Sequence, residues 1–140
     1  MQTPTVLMKM PKHASRASAL PGSVFVVDDN ATLGELTAAV LEAAGYQVRH
    51  FSDPKAVLQA LGEAGPKPAL LVTDYDMGEM NGLDLIQSSR KLHPSLKTLL
   101  MSGTVDGSIA LMGPAKVNRF LGKPYDPAQL RKTVAELLRA

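Results

Sequence analysis

Residues 23–30 read SVFVVDDN, an apolar run that ends abruptly in two aspartates and an asparagine. An unbroken run of β-branched and aromatic residues is typical of a strand that is covered on both faces. Aspartate and asparagine directly after such a run provide good N-cap chemistry for a helix. The segment therefore predicts a buried strand that leads at once into a helix, as in an α/β fold.

The same alternation continues along the chain and predicts five strands, at residues 24–27, 47–51, 69–73, 96–101 and 117–121. Helices are expected after Asn30, where Leu33, Leu36, Val40 and Leu41 recur at helical spacing, and after the caps in Asp53-Pro54, Asn81-Gly82 and Asp126-Pro127. Gly113-Pro114 must interrupt any helix between the fourth and fifth strands, so that helix is predicted to be short or distorted. Short connections of this kind indicate right-handed crossovers and a parallel sheet with five helices distributed over its two faces.

Charge separates a short leader from one domain. Three of the 15 basic residues lie in residues 1–22, which hold no acid, so residues 23–140 carry one more acidic than basic residue. We therefore expect a disordered basic leader over 1–22, a single domain over 23–140 and no nucleic-acid partner.

The chain has no cysteine, which excludes disulfides and thiolate chemistry and fits a cytoplasmic protein. No apolar run is long enough for a membrane helix, so no membrane partner is expected.

Polar side chains follow four of the five predicted strands. Asp28 and Asp29 follow the first, Asp74 the third, Ser102 the fourth and Lys123 the fifth. Because the carboxyl ends of parallel strands lie at one edge of a sheet, where ligands bind in such folds, these groups are expected to converge. Like charges about 4 Å apart repel by roughly 4 kcal/mol per pair at an effective dielectric constant of 20, so three carboxylates need a cation. The set predicts Mg²⁺ and a phosphoryl group, with Asp74 as the nucleophile.

Four motifs resemble those of the receiver domain of bacterial two-component response regulators. They are Val-Asp-Asp-Asn at 27–30, Asp-Tyr-Asp-Met-Gly-Glu-Met-Asn-Gly at 74–82, Met-Ser-Gly at 101–103 and Phe-Leu-Gly-Lys-Pro-Tyr at 120–125. The resemblance covers residues 23–140. It implies a flavodoxin-like three-layer sandwich with strand order 2-1-3-4-5. It further implies a signalling domain that takes a phosphoryl group from the phosphohistidine of a histidine kinase or a histidine phosphotransfer protein.

The resemblance also implies a role for each site residue. Asp74 would be the phosphoacceptor, and Ser102 and Lys123 would contact the phosphoryl group. The Mg²⁺ ligands would be Asp28, Asp29, Asp74 and the backbone carbonyl of Asp76. The remaining expectations are a state-dependent switch at Ser102, Phe120 and Tyr125, a cis peptide at Lys123-Pro124, and tuning of the reaction rate by Asp76 and Thr104.

Two other interpretations remain open at the level of sequence. Gly78 stands where the family often has proline, and the short helix before the fifth strand is also unusual, which keeps a phosphorylation-independent scaffold in consideration. Asp74-x-Asp76 is similar to the first motif of haloacid-dehalogenase phosphohydrolases, although the motif follows the third strand and there is little room for a substrate cap. We expect a phosphoacceptor that assists its own phosphotransfer and dephosphorylation, not a conventional enzyme. The downstream target is not identified, and a monomer or weak dimer is expected.

Overall fold

A computed structural model describes residues 19–104, 107 and 113–139 of the chain. In chain order the elements are β1 (Ala19–Val27), α1 (Ala31–Ala43), β2 (Gln47–Phe51), α2 (Pro54–Gly62), β3 (Lys67–Asp74), α3 (Gly82–Leu92), β4 (Lys97–Ser102), β5 (Arg119–Gly122) and α4 (Pro127–Arg139). The short or distorted helix predicted between β4 and β5 falls largely outside the described residues, since of residues 105–112 only Gly107 is described, in helical conformation.

The five strands form one sheet in the order β2-β1-β3-β4-β5. Every neighbouring pair is parallel, with Val26 of β1 opposite His50 of β2 on one side and Val72 of β3 on the other. The strand order 2-1-3-4-5 expected from the resemblance is confirmed. Because all strands run in one direction, their carboxyl ends lie at the same edge of the sheet.

Two hydrophobic cores fill the space between the sheet and the helices on its two faces. Side chains of a buried parallel strand alternate between the faces, so Phe25 and Val27 contribute to one core and Val24 and Val26 to the other. The first core includes side chains of α2 and α3, and the second includes side chains of α1 and α4. The result is the three-layer sandwich that the resemblance implied.

The orientation of α1 differs from what its leucine spacing suggests. The helix forms as predicted, and Leu41 is fully buried, but Leu33 and Leu36 are 44% and 58% exposed. The buried face also holds small residues, Gly34, Thr37 and Ala38. Gly34 packs so tightly against the ring of His50 that an added Cβ would lie 2.0 Å from the ring nitrogen Nε2. A larger residue on this face would prevent the close approach of α1 to the edge strand β2.

The first strand begins earlier than the sequence indicates. Ala19 and Leu20, which the sequence assigns to the leader, pair with Lys67 and Pro68 of β3. A register shift follows between Leu20 and Val24, with Gly22 at a φ of 79°. Pro21 and Gly22 lie at this irregularity and interrupt the apolar run by which the strand is recognised, so the sequence pattern starts only after them. The other residues of the predicted leader lie outside the described range.

Candidate functional site

The carboxyl edge of the sheet brings the predicted polar residues together. Asp74 and Ser102 are the last residues of β3 and β4, while Asp28 follows β1 and Lys123 follows β5. Asp28, Asp74 and Ser102 are buried and Lys123 is half-buried, whereas Asp29 is exposed. The backbone ties the last two strand ends together, because the Lys123 amide donates to the Ser102 carbonyl at 2.9 Å.

Three carboxylates form a compact cluster that fits a divalent cation. One oxygen each from Asp28, Asp29 and Asp74 lies within 4.8 Å of the other two. The backbone amide of Asn30 donates to Oδ1 of Asp28 at 2.9 Å, and the Asn30 side chain caps α1 by accepting from the amide of Leu33. Oxygen donors from several carboxylates, open to solvent at one side through Asp29, are the ligands that Mg²⁺ prefers.

Lys123 supplies the positive charge of the site. Its ammonium lies 2.9 Å from Oδ1 of Asp74 and 3.3 Å from Oδ2 of Asp28. Burial on its own lowers the pKa of Lys123, but the hydrogen bond to Asp74 and the negative charges of Asp28 and Asp74 outweigh it, so the pKa is raised. Lys123 therefore remains protonated at neutral pH and links two of the three carboxylates.

Asp74 is held in an environment that disfavours its negative charge. Burial raises the pKa of this carboxyl, and the negative charge of Asp28 raises it further. Lys123 lowers the pKa of Asp74 through a hydrogen bond and through its charge, but this offsets the increase only in part. A buried carboxylate with a perturbed pKa beside a fixed cation is a strong candidate for a functional group.

Gly82 is a part of the site that the sequence did not reveal. An added Cβ at Gly82 would lie 2.4 Å from the carbonyl oxygen of Asp74 and 2.6 Å from Leu100, so only glycine fits. The Gly82 amide also donates to the Tyr75 carbonyl at 2.8 Å. These contacts bring the first turn of α3 directly against the end of β3 and fix the backbone at Asp74. The dipeptide Asn81-Gly82 signalled only a helix start, and Asn81 does cap α3.

A hydroxyl network joins the loops after β3 and β4. The Thr104 hydroxyl donates to Oδ2 of Asp76 at 2.8 Å, and the oxygen of that hydroxyl is 3.1 Å from the Ser102 hydroxyl oxygen. The Thr104 amide donates to Oγ of Ser102 at 3.0 Å. The Asp76 carboxylate therefore faces Thr104, and the role expected for the Asp76 backbone carbonyl as a metal ligand stays a prediction.

The two aromatic residues expected to switch lie on opposite faces of the sheet. Phe120 packs against the α2–α3 core, with its ring so close to Gly107 that an added Cβ there would lie 2.6 Å away. Tyr125 packs against the α1–α4 core and its hydroxyl is hydrogen-bonded to that of Thr37 in α1. The Lys123–Pro124 peptide is cis, which confirms the expectation.

Residues 24–135 match the response regulator receiver domain family. This match spans most of the chain, and the chain belongs to that family. Its members are phosphoacceptor domains of two-component systems and not conventional enzymes. The family assignment agrees with the order of the strands and with the acidic cluster at their carboxyl ends, and it does not favour a phosphohydrolase of the haloacid-dehalogenase type.

The relatives of the chain include both short and long proteins. It is 32% identical over 130 residues to the sensor kinase CckA of Brucella abortus, covering 91% of this chain but only 14% of the kinase. It is 28% identical over 121 residues to the response regulator receiver protein CpdR of the same organism, covering 84% of this chain and 97% of that protein. The chain thus spans a small part of the length of CckA and nearly the whole length of CpdR.

A solved structure supports the fold independently. The CheY-like response regulator receiver domain protein of Methanospirillum hungatei JF-1 superimposes with a TM-score of 0.76 at 24% sequence identity, covering 84% of this chain and 93% of that one. At this level of identity the similarity establishes the fold alone. Among the described residues, no helix is long and apolar enough to cross a membrane.

Proposed function

We propose that Asp74 accepts a phosphoryl group from a phosphohistidine, supplied by a histidine kinase or a histidine phosphotransfer protein. The observation that supports this most directly is the clustering of Asp28, Asp29 and Asp74 within 4.8 Å, with the Lys123 ammonium 2.9 Å from Asp74. A carboxylate nucleophile, an acidic metal site and a fixed cation are the groups that phosphoryl transfer to an aspartate requires.

In the proposed reaction, a carboxylate oxygen of Asp74 attacks the phosphorus atom. An oxygen–phosphorus bond forms to Asp74 while the nitrogen–phosphorus bond of the phosphohistidine breaks, and the imidazole leaves with the electron pair. Lys123 then pairs with a phosphoryl oxygen, and the Ser102 hydroxyl donates to another. Both groups already lie at the edge of the sheet where the phosphoryl group would be bound, so their contribution is one of position and charge.

The proposed metal ligands are the carboxylates of Asp28, Asp29 and Asp74 and the backbone carbonyl of Asp76. When bound there, Mg²⁺ supplies positive charge that neutralises the phosphoryl oxygens and the carboxylate cluster. The exposed position of Asp29 leaves one side of the cluster accessible to the ion. Asp28 keeps one oxygen occupied by the Asn30 amide, which holds its carboxylate in a fixed orientation.

The same site is proposed to remove the phosphoryl group by hydrolysis and to report its presence. Water attack on the phosphorus would restore the Asp74 carboxylate, at a rate that depends on Asp76 and Thr104, whose side chains lie beside the site. Movement of Ser102 and Lys123 toward the phosphoryl group would change the loops that carry them. Phe120 and Tyr125 lie on or next to those loops and are the proposed reporters of the change.

The test is to incubate the purified chain with Mg²⁺ and acetyl phosphate and to measure its intact mass. We expect a labile gain of one phosphoryl group that disappears in Asp74→Ala and when Mg²⁺ is removed by a chelator. Asp84→Asn is the matched control, because Asp84 is another acid but lies in the first turn of α3, where its amide binds the Asn81 cap. This variant should label as the wild type does.

Three other outcomes would reject the proposal. Failure to label with acetyl phosphate and with a phosphorylated histidine phosphotransfer protein would favour the scaffold interpretation. Steady turnover of p-nitrophenyl phosphate in the presence of Mg²⁺ would instead favour a phosphohydrolase. A gain in mass that persists in Asp74→Ala would place the phosphoryl group on another residue.

A further inference from the structure

In the hydroxyl network between the β3 and β4 loops, chemistry determines which group donates each hydrogen bond. A carboxylate only accepts hydrogen bonds, so in the 2.8 Å contact the Thr104 hydroxyl must donate to Asp76. A hydroxyl has one proton to donate, and that of Thr104 is used in this contact. In the 3.1 Å contact between the two hydroxyls, Ser102 is therefore the donor and Thr104 the acceptor.

This direction conflicts with the role of Ser102 in binding a phosphoryl group. The oxygens of a phosphoryl group on Asp74 accept hydrogen bonds, so Ser102 must turn its proton toward them. It cannot do so while that proton is directed at Thr104. The Thr104 amide, which donates to Oγ of Ser102 at 3.0 Å, also holds the serine side chain in its present position.

We infer that Asp76 acts through Thr104 as a latch that holds Ser102 away from the phosphoryl site. This inference rests on the proposed function, in which Ser102 binds a phosphoryl oxygen. Asp76 and Thr104 are then positioning residues, since they act by directing the Ser102 proton. Phosphorylation of Asp74 must break the contact between Ser102 and Thr104 before Ser102 can bind, and the latch therefore favours the unphosphorylated arrangement.

Removing either part of the latch should make the phosphorylated arrangement more accessible. In Asp76→Ala the Thr104 hydroxyl is free to donate to Ser102, which releases the Ser102 proton. In Thr104→Val, a change that keeps the shape of the side chain, the acceptor for that proton is lost. The net contribution of one hydrogen bond corresponds to about a three- to tenfold change in an equilibrium constant.

The experiment uses beryllofluoride, a stable mimic of a phosphoryl group, titrated in the presence of Mg²⁺ and followed by ¹⁹F NMR. We expect Asp76→Ala and Thr104→Val each to bind it about three- to tenfold more tightly than the wild type. The double variant should gain no more than either single variant, because both changes open the same latch. Thr104→Ser, which restores the hydroxyl, should bind as the wild type does.

Two controls separate the latch from simple charge repulsion between Asp76 and the bound anion. Glu79→Ala removes a charge from the same loop, where Glu79 pairs with exposed Lys55 at 3.0 Å, and the affinity of this variant for beryllofluoride should stay at the wild-type value. In a Ser102→Ala background, Asp76→Ala should give no gain, because no hydroxyl remains to be released. Repulsion alone would predict a gain from Asp76→Ala in that background, and no gain in Thr104→Val, which leaves the charge of Asp76 in place.

The latch is rejected if neither single variant gains affinity, if the gains add in the double variant, or if the gain survives in Ser102→Ala. Each of these results presupposes that the wild type binds beryllofluoride at Asp74. Absence of binding by the wild type would instead reject the proposed phosphoacceptor function itself, so the two failures are distinguishable.

Discussion

Asp74 is subject to opposing requirements of function and stability. A nucleophilic carboxylate must be ionised, but burial and the charge of Asp28 both make ionisation less favourable and raise its pKa. Lys123, 2.9 Å away, compensates only partly. Such a site is expected to lower the stability of the fold, because its geometry serves reactivity. Replacing one of its carboxylates by an uncharged side chain is therefore expected to stabilise the folded protein.

We therefore predict that Asp74→Asn stabilises the metal-free protein at neutral pH, by about 1 kcal/mol in the free energy of unfolding. Because the pKa of Asp74 is higher in the folded than in the unfolded state, its contribution to stability is present at low pH and is lost as pH rises through the folded pKa. The advantage of the variant should grow with pH from about pH 4 upward. Denaturant titrations from pH 4 to 8, with a chelator present, measure the difference.

The matched control for this prediction is Asp84→Asn, which changes the net charge equally at an exposed carboxylate outside the cluster. The difference in the free energy of unfolding between this control and the wild type should vary little over the same pH range. A constant difference for Asp74→Asn, or one that shrinks as pH rises, would show that the ionised form of Asp74 is not the destabilising one.

His93 gives the opposite pH dependence. It is buried at the end of α3, and its Nε2 lies 3.1 Å from the Pro68 carbonyl oxygen. Burial lowers the pKa of His93, and the charge of Lys67 adds to this, while the hydrogen bond to Pro68 opposes it. For a histidine whose folded pKa is depressed, the stabilising contribution is present above the unfolded value of about 6.5 and is lost as pH falls through the folded value.

We predict that the stability of His93→Gln falls less steeply than that of the wild type as pH decreases from 7.5 to 5. Glutamine retains an N–H donor for the Pro68 carbonyl but does not titrate. The free energy of unfolding of both proteins, measured by denaturant titration at each pH, gives the comparison. Parallel pH profiles for the two proteins would assign the acid sensitivity of the fold to other groups.

At the level of elements, the sequence predicts which segments form helices and strands better than it predicts which way they face. The leucine spacing in α1 correctly indicated a helix, but two of those leucines are exposed and Gly34 faces the sheet instead. Hydrophobic periodicity is a property of one segment. The face that is buried depends on the partner, and here the ring of His50 requires a small residue opposite it.

This close approach predicts an unusual effect of Gly34→Ala. In an open helix position, replacing glycine by alanine stabilises by about 1 kcal/mol. Here the new methyl group would lie 2.0 Å from Nε2 of His50, so the helix or the ring must move. We expect a net destabilisation of about 1–3 kcal/mol, measured by chemical denaturation.

Two further variants test the cause of that effect. Gly62→Ala is the matched control, because Gly62 ends α2 and its added Cβ would have no atom within 4 Å apart from its chain neighbours and the backbone of its own helix, so it should be neutral or stabilising. His50→Ala should remove the clash, so Gly34→Ala in that background should cost much less than in the wild type. An equal cost in both backgrounds would exclude the contact with His50 as the cause.

The site could be predicted in its main residues but not in the contacts that tune it. Asp74 ends a strand and Asp28 and Lys123 directly follow strands, and the geometry of a parallel sheet alone brings strand ends together. Other contacts were not predicted. Gly82 at the start of α3 packs against the Asp74 carbonyl, and the hydroxyl of Thr37 in α1 is hydrogen-bonded to that of Tyr125 after β5. No spacing rule within the sequence encodes such contacts, so they become visible only in three dimensions.

For the molecule as a whole, the charge at the carboxyl edge of the sheet links stability to cation binding. Two of the clustered carboxylates, Asp28 and Asp74, are paired with Lys123, while Asp29 has no ion-pair partner among the described residues. A cation that binds this cluster in the folded state, and has no comparable site in the unfolded chain, must stabilise the fold by mass action.

We predict that Mg²⁺ raises the free energy of unfolding of the wild type by about 2.7 kcal/mol when its concentration is 100 times the dissociation constant. Asp29→Ala should lose most of this response. Because removal of Asp29 also relieves repulsion within the cluster, the variant should be slightly more stable than the wild type when a chelator is present. Thermal unfolding followed by circular dichroism over a Mg²⁺ titration, with Na⁺ at matched ionic strength as the control, measures both effects.

The stability curves of the wild type and of Asp29→Ala should therefore cross as the Mg²⁺ concentration increases, since the Asp29 carboxylate opposes folding without the ion and supports it with the ion. Curves that remain parallel would mean that Asp29 does not hold the cation, and an equal response to Na⁺ would reduce the effect to general screening.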